Sequence, residues 1–278
     1  MKRTIVGVAV VAGMVQLSAA PAHAALTSDP VKALQSQLAR GKAVNLTATA
    51  KVTYAAGLVA TSALDGTVGF GPRGPVASDL GQTLQYSEKL LGQLKKSSPE
   101  ETEALQEGPI RMVSSGGLSY VSGPVVDQAL IQGESWVRYR KVILPPSNLV
   151  VEALDPATLK TLIAARTSWS GGILKGSVKA GKLAKASAPF AAFYGKSFTA
   201  KRDGKITYTL WFGEKGLVER VSAKASLPIQ NRTVHVESDT RYADWGREVT
   251  VQLPLEGDAI DQSEVKDRVP GKMPGIWN

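Results

Sequence analysis

The sequence from residue 205 to residue 227 reads KITYTLWFGEKGLVERVSAKASL. Two runs of alternating polar and apolar residues flank a turn that contains Gly213 and Gly216, an arrangement typical of a β-hairpin. The alternation places one apolar set on a single face, namely Ile206, Tyr208, Leu210, Phe212, Leu217, Val221, Ala223, Ala225 and Leu227. It places on the opposite face Val218, Arg220, Ser222, Lys224 and Ser226. We therefore predict two antiparallel strands with one dry face and one wet face.

Two further runs continue this pattern downstream of the hairpin. Their apolar residues are Val234, Val236, Tyr242, Val249, Val251 and Leu253. We predict a meander of four antiparallel strands that share the same dry face. Because an apolar sheet face must be buried, the rest of the chain has to supply its cover.

The N-terminal part predicts a helix followed by a long strand. Asp29 suits an N-cap and Pro30 suits the first helical turn, so a helix is expected to begin here and to end at Gly41. The strand from Ala43 to Tyr54 alternates strictly, and its apolar side chains are Val44, Leu46, Ala48, Ala50, Val52 and Tyr54. A strand of this length suits a broad, curved sheet.

The next segment has two interpretations. A strand over 67–71 has Phe70 on its apolar face. Residues 80–96 then form either one helix or a strand that ends near Tyr86. The sequence SSPEETE over 97–103 is typical of a helix start, with a serine cap before a proline. We interpret it as a short acidic surface insertion.

The remaining elements complete a mixed fold. Strands are predicted at 111–114, 118–122, 136–140 and 173–178. The strand at 136–140 places Tyr139 on its apolar face. A helix from Asp155 through about Arg166 carries an apolar stripe made of Leu159, Leu162 and Ile163. Residues 184–194 are ambiguous, with a helix as one interpretation. The fold class is α+β, with eight to eleven strands and two or three helices.

The first 24 residues match a secretory signal peptide, with Lys2 and Arg3 before an apolar run and AHA over 22–24 as the cleavage site. An uncleaved anchor helix is the alternative, which the shortness of the apolar run disfavours. No later stretch approaches transmembrane length, and the chain has no cysteine. We therefore predict a secreted, extracytoplasmic protein whose stability comes from core burial rather than disulfides. We predict one domain over 25–261 and a polar, extended tail over 262–278.

The charge of the chain is moderately basic. Without residues 1–24 it keeps 31 Lys and Arg against 24 Asp and Glu, a net charge of +7. Basic residues concentrate at 175–185 and 196–205, without the interleaved aromatic residues of a nucleic-acid interface, so no nucleic-acid partner is predicted. A solvated basic face explains these concentrations, and an anionic envelope surface is the functional alternative.

We predict no catalytic site and no cofactor. His235 is the single histidine after residue 24 and lies on the polar side of a strand, so no metal site is predicted. Motifs of zinc proteases, α/β-hydrolases and nucleotide-binding loops are absent from the sequence. The sequence SEVK over 263–266 fits S-x-x-K, but it lies in the polar tail and no K-T-G accompanies it. The tryptophans are interpreted as packing residues, with cavity lining as the alternative for Trp136 and Trp211.

Two segments resemble a known family. The hairpin from Trp211 to Val221, with EKGLV at its turn, and the sequence YADWGREVTV over 242–251 resemble the conserved hairpin and closing strand of the actinobacterial lipoproteins related to LolA, the group that includes LprG and LppX. WVRY over 136–139 and DPATL over 155–159 fall where that family has a strand and then a helix. The resemblance covers about 130–261, and the region 72–130 does not match.

The resemblance implies a curved, incomplete antiparallel β-barrel with helices plugging its concave face, around a cavity for a lipid or an acyl chain. Since the lipid-attachment cysteine is absent, this member is expected to be released rather than tethered. The expected contacts of a lipid or other apolar ligand are Val44, Leu46, Val52, Phe70, Tyr139, Leu159, Leu162, Tyr208, Leu210 and Val221, whose alternative role is plain core. The alternative function is an extracytoplasmic sensor or protein-interaction module without a bound lipid, for example by strand addition at an open sheet edge. A hydrolase is the third hypothesis.

Overall fold

Twelve strands pair into one open, curved sheet in the computed structural model. The structure describes residues 29–131, 133–140, 150–194, 199, 202–229 and 232–271. The strands are β1 Lys42–Ala55, β2 Leu58–Gly71, β3 Gly74–Tyr86, β4 Ile110–Ser115, β5 Leu118–Ser122, β6 Trp136–Arg140, β7 Arg166–Ser170, β8 Ile173–Lys179, β9 Lys205–Phe212, β10 Val218–Ile229, β11 Arg232–Glu248 and β12 Ala259–Asp261. The helices of the described residues are α1 Pro30–Gln37, α2 Glu88–Ser97, α3 Pro99–Glu107, α4 Pro124–Asp127, α5 Pro156–Ala164, α6 Ala180–Ala186 and α7 Ala188–Tyr194.

The sheet runs in the order β12-β6-β5-β4-β3-β2-β1-β11-β10-β9-β8-β7. Every neighbouring pair is antiparallel except β12 and β6, which are parallel. The predicted antiparallel sheet is therefore confirmed, as an open sheet rather than a closed barrel. The predicted numbers of strands and helices were too low, because elements as short as α4 and β12 carry too few residues to show a period.

The hairpin that the sequence predicted forms as β9 and β10. Leu210 faces Val221 and Thr209 faces Ser222, so the apolar set and the polar set lie on opposite faces. One assignment was wrong: Val218 is buried, with 3% of its surface exposed. A register shift between Val218 and Arg220 turns this side chain to the buried face.

The fourth strand of the predicted meander does not form. β11 extends to Glu248, and residues 249–255 are irregular. The reason is that β1 begins at Lys42, opposite Glu248, so no partner strand remains for the following residues. β12 forms one edge of the sheet and pairs with β6.

Residues 80–96, for which the sequence allowed either a helix or a strand, contain the end of a strand and then a helix. β3 ends at Tyr86, and α2 follows after Ser87, whose side chain accepts a hydrogen bond from the Leu90 amide. The acidic sequence after it forms α3, but it is not purely a surface insertion, because Thr102 and Ala104 are buried.

We define the inner face of the sheet by the buried side chains of β9, which are Ile206, Tyr208, Leu210 and Phe212. The Tyr208 hydroxyl donates a hydrogen bond of 2.6 Å to the Leu162 carbonyl, which places α5 against this face. The remaining helices are also short, with the longest spanning ten residues among those described. Among the described residues, no helix is long and apolar enough to cross a membrane.

The C-terminal segment packs against the sheet, so the expectation of an extended tail is wrong for residues 262–271. Val265 and Val269 are buried in the core, and the Tyr139 hydroxyl donates to the Pro270 carbonyl at 2.9 Å. The sequence suggested a tail because buried residues four apart in an irregular segment leave no strand pattern. The predicted signal peptide at 1–24 and residues 272–278 lie outside the described residues.

An ion-pair cluster fixes β12 where the C-terminal segment begins. The Asp261 carboxylate accepts hydrogen bonds from Arg138 at 3.3 Å and from Arg140 at 2.7 Å. Burial alone would raise the pKa of Asp261, but hydrogen bonds from the Ser263 hydroxyl and Arg140 outweigh it and lower that pKa to about 2. The carboxylate therefore stays charged and holds the end of the sheet at neutral pH.

Candidate ligand-binding face

All ten residues that the sequence proposed for ligand contact lie in the interior. None has more than 4% of its surface exposed, and all belong to one continuous apolar core. The structure brings some of them together: Leu210 faces Val221 across two strands, and Tyr208 bonds to the backbone of Leu162. It separates others, because seven strands lie between β6, which carries Tyr139, and β9. The ten residues therefore span the inner face rather than forming one compact pocket.

The centre of the inner face is formed by small side chains. Those on β10, β11, β1 and β2 are Ala48, Ala50, Ala60, Ser62, Ala223, Ala225, Ser238 and Thr240, all of them buried. The strand registers place several in one row across the sheet, with Ala223 facing Ser238 and Ala50 facing both Ser238 and Ser62. Because these side chains are small, the surface of the inner face lies close to the sheet backbone. Side chains from other segments must therefore fill the space against it.

Two polar atoms on this face have no hydrogen-bond partner among the described residues. They are Ser78 Oγ and Gln82 Oε1, and each is fully buried. Gln82 donates from Nε2 to Ser62 Oγ at 3.2 Å, but its carbonyl oxygen remains unused. Buried polar atoms are usually paired, so these atoms mark places where a polar group of another molecule would be stabilised.

The segment Val150–Leu154 fills part of the space against the inner face. It is neither helix nor strand, and all five of its residues are buried. Glu152, with 5% of its surface exposed, accepts a hydrogen bond of 3.0 Å from the Leu154 amide. Burial, which the Leu154 hydrogen bond partly offsets, and the nearby Asp155 carboxylate together raise the pKa of Glu152 from 4.5 to about 7.

Glu152 lies near Tyr242, whose side chain projects from β11. Burial raises the pKa of Tyr242 well above 10, and the Glu152 carboxyl adds to this effect. A hydrogen bond with the backbone of Ala153 lowers the pKa of Tyr242 in part, so a carboxyl and a phenol lie near each other in the apolar interior without a direct hydrogen bond. Sequence reasoning did not find this pair, because a short irregular segment has no periodicity, although a Glu between two apolar pairs in VVEAL was a signal.

The tryptophans considered for cavity lining lie elsewhere. Trp211 alternates with the buried residues of β9 and so faces outward, with the Arg220 guanidinium 4.8 Å from its ring centre. Trp136 is stacked in the same way by Arg111 at 5.6 Å. Their packing role fits these contacts, and neither ring lies on the inner face.

The described cavities are on polar surfaces. One of about 440 Å³ crosses the outer face and is lined by residues that include Lys51, Lys224 and Glu237. Another of about 570 Å³ adjoins Arg111, and a third of about 570 Å³ lies between α3, α4 and residues 267–271. None of these three cavities is lined by the ten proposed contact residues.

The described residues contain no cluster of three or more His, Cys, Asp or Glu side chains that would hold a metal ion. His235 is exposed on β11 and its Nδ1 lies 3.1 Å from the Ser226 hydroxyl. This pair is a cross-strand contact on the outer face.

Comparisons with known proteins give matches only among solved structures, at low identity and low TM-score. No protein-family model and no curated protein matches the chain. Among solved structures, a LolA superfamily protein from Nitrosomonas europaea is 8% identical, with 83% of this chain and 96% of that chain covered and a TM-score of 0.26. A DUF1329 family protein from Desulfovibrio piger is 9% identical, with 81% and 96% covered and a TM-score of 0.24. TM-scores at this level carry no argument about function, so the function is inferred from geometry.

Proposed function

We propose that this chain is a secreted, non-enzymatic binding protein that holds a lipid or another apolar molecule against the inner face of its sheet. The observation that carries the proposal is the contrast between this face and its cover. The inner face is continuous across the strands, whereas its cover consists of short helices and irregular segments such as Val150–Leu154. A fragmented cover opens locally at lower free-energy cost than a continuous second layer.

The composition of the inner face suits an amphipathic ligand. Its small central side chains leave room for an alkyl chain once the cover moves, and apolar burial supplies the driving force. The unpaired atoms of Ser78 and Gln82 supply hydrogen-bonding groups for a polar end. An alkyl chain with a carboxyl or hydroxyl end meets both requirements.

The energetics allow such binding. Burial of one methylene group contributes roughly 0.8 kcal/mol, so a chain of about sixteen carbons contributes on the order of 12 kcal/mol. Ordering of the ligand and opening of the cover consume roughly half of this. The remainder, roughly 6 kcal/mol, corresponds to a Kd of about tens of micromolar.

Native mass spectrometry of the purified chain tests the proposal. We expect a bound apolar molecule that survives into the gas phase and is released by organic extraction. The proposal is contradicted if organic extraction releases no apolar molecule and the purified chain binds no added fluorescent fatty acid.

One observation favours a second function, a protein-interaction module without a lipid. The ten proposed residues are packed into the core, and none lines the three described cavities. If the interior is filled in solution as well, Val150–Leu154 is a permanent part of the core. The mass-spectrometric experiment distinguishes the two functions, since the module carries no apolar molecule.

A further inference from the structure

The charges of the chain are unevenly distributed along the sequence. Residues 156–202 contain no Asp or Glu and nine basic residues, which are Lys160, Arg166, Lys175, Lys179, Lys182, Lys185, Lys196, Lys201 and Arg202. This number equals the formal net charge of the whole chain, +9, so the remaining residues balance to zero. One stretch of the sequence therefore carries the entire net charge.

This stretch forms one end of the sheet. α5, β7, β8 and α6 follow one another along the chain, and β7 is the outermost strand on this side. We call their exposed basic side chains the basic end, which consists of Lys160, Arg166, Lys175, Lys179, Lys182 and Lys185. The basic end therefore includes side chains from the sheet and from the helices beside it.

The basic side chains of this end are not neutralised within the molecule. Every Asp and Glu of the chain falls within the described residues, and none of them forms an ion pair with the basic end. The opposite end of the sheet differs, since Arg138 and Arg140 both pair with Asp261. Unpaired like charges on neighbouring elements repel one another, and an anionic partner relieves that repulsion.

An exposed apolar side chain lies beside these charges. Ile173 begins β8, directly after the turn at Gly171 and Gly172, and 38% of its surface is exposed. It faces Trp211 across the strand pair, and Lys175 is the next residue on the same face. A surface that joins unpaired basic groups with an exposed apolar side chain is suited to a bilayer with anionic headgroups.

We infer that the basic end docks the protein onto an anionic lipid bilayer. Strand addition by an acidic peptide fits less well, because a register shift between Arg166 and Ser168 interrupts the edge strand β7. Lys160, Lys182 and Lys185 also lie on helices, away from the backbone edge that an added strand would use. This inference does not depend on the proposed interior ligand, since docking uses only the exposed surface.

Vesicle co-sedimentation tests the inference. The purified chain should sediment with vesicles of phosphatidylcholine mixed with phosphatidylglycerol, and it should stay in solution with phosphatidylcholine alone. High salt should release it, because exposed charges are screened. The combined variant Lys175→Glu, Lys179→Glu, Lys182→Glu and Lys185→Glu should bind at least about tenfold more weakly.

A matched control variant changes the net charge by the same amount at other positions. In this variant four exposed lysines are each replaced by Glu, namely Lys51, Lys89, Lys96 and Lys266. This control should retain affinity within about twofold, and thermal melts should show that both variants fold. Equal losses in the two variants, or no binding of wild type to phosphatidylglycerol vesicles, would overturn the inference. Binding to soluble polyglutamate but not to vesicles would overturn it in favour of an acidic protein partner.

Discussion

The inner and outer faces of the sheet come from the same strands but differ in what their side chains do. On β10, Ala223 is buried on the inner face, while its neighbour Lys224 is exposed and pairs with Glu237 at 3.1 Å. The outer face satisfies its polar groups with ion pairs, whereas the inner face leaves polar atoms of Ser78 and Gln82 without a partner among the described residues. Near the centre of the sheet the outer face therefore satisfies its own polar groups, whereas the inner face is suited to receive an apolar ligand.

The largest expected effect comes from placing a charge on one face or the other. Leu210→Glu puts a carboxylate into the fully buried interior and should lower the free energy of unfolding by about 3–5 kcal/mol. Thr209→Glu, one residue away on the outer face, should change it by less than about 0.5 kcal/mol. Urea denaturation of the two variants measures the difference, and equal losses would contradict the assignment of faces.

The next effect concerns Glu152 and depends on pH. The pKa of Glu152 is about 7 in the folded chain against 4.5 ordinarily, so the unfolded chain releases this proton first as pH rises. The stability contribution of Glu152 is therefore full below pH 4.5 and falls through the window up to about 7, by about 3 kcal/mol in total.

Glu152→Gln keeps the shape of the side chain and removes its titration. The variant should be more stable than wild type at about pH 8, and the difference should disappear near pH 4. Denaturation curves at the two pH values measure this. A difference that does not change with pH would mean that Glu152 is solvated in the native chain.

A smaller effect is expected from the cover. Val265→Ala removes two buried methyl groups from the packed C-terminal segment and should cost about 2 kcal/mol. Lys266→Ala, at the exposed neighbouring position, should have an effect within about 0.5 kcal/mol. Thermal melts of both variants are sufficient, and equal melting temperatures would show that this segment does not pack in solution.

The smallest effect belongs to the outer face. Lys224→Ala breaks an exposed ion pair with Glu237, and such pairs contribute about 0–1 kcal/mol. Because the pair is solvated, its contribution should also fall as salt rises. A loss of several kcal/mol in a denaturation experiment would show that the outer face is covered in solution.

The sequence predicted the two faces better than it predicted their surroundings. Strict alternation in the β9–β10 hairpin and in β1 assigned nearly every side chain correctly, because a strand's period of two depends only on the local chain. Val218 was misassigned because its side is set by a register shift between strands. The region of β3 and α2 was left open because a short apolar run fits both a strand and a helix.

The cover was the part that the sequence did not predict. Val150–Leu154, Val265 and Val269 are buried in segments without a regular period, and only the sheet beneath them explains their burial. The partly unpaired polar side chains were also missed, although Ser78 and Gln82 occupy the apolar phase of β3 alongside Leu80 and Leu84. Polar residues at strand positions that otherwise carry buried apolar side chains were the signal for a candidate site.

The most direct test of the central claim is the affinity for a fluorescent fatty acid, measured in wild type and in one matched pair of variants. Ala223→Leu places a larger side chain at the centre of the inner face, where the ligand would lie. Ser222→Leu places a leucine at the neighbouring position on the outer face. We expect saturable binding to wild type at about tens of micromolar, unchanged binding to Ser222→Leu, and at least about tenfold weaker binding to folded Ala223→Leu. No binding to wild type, or equal binding to the two folded variants, would contradict an apolar ligand on the inner face.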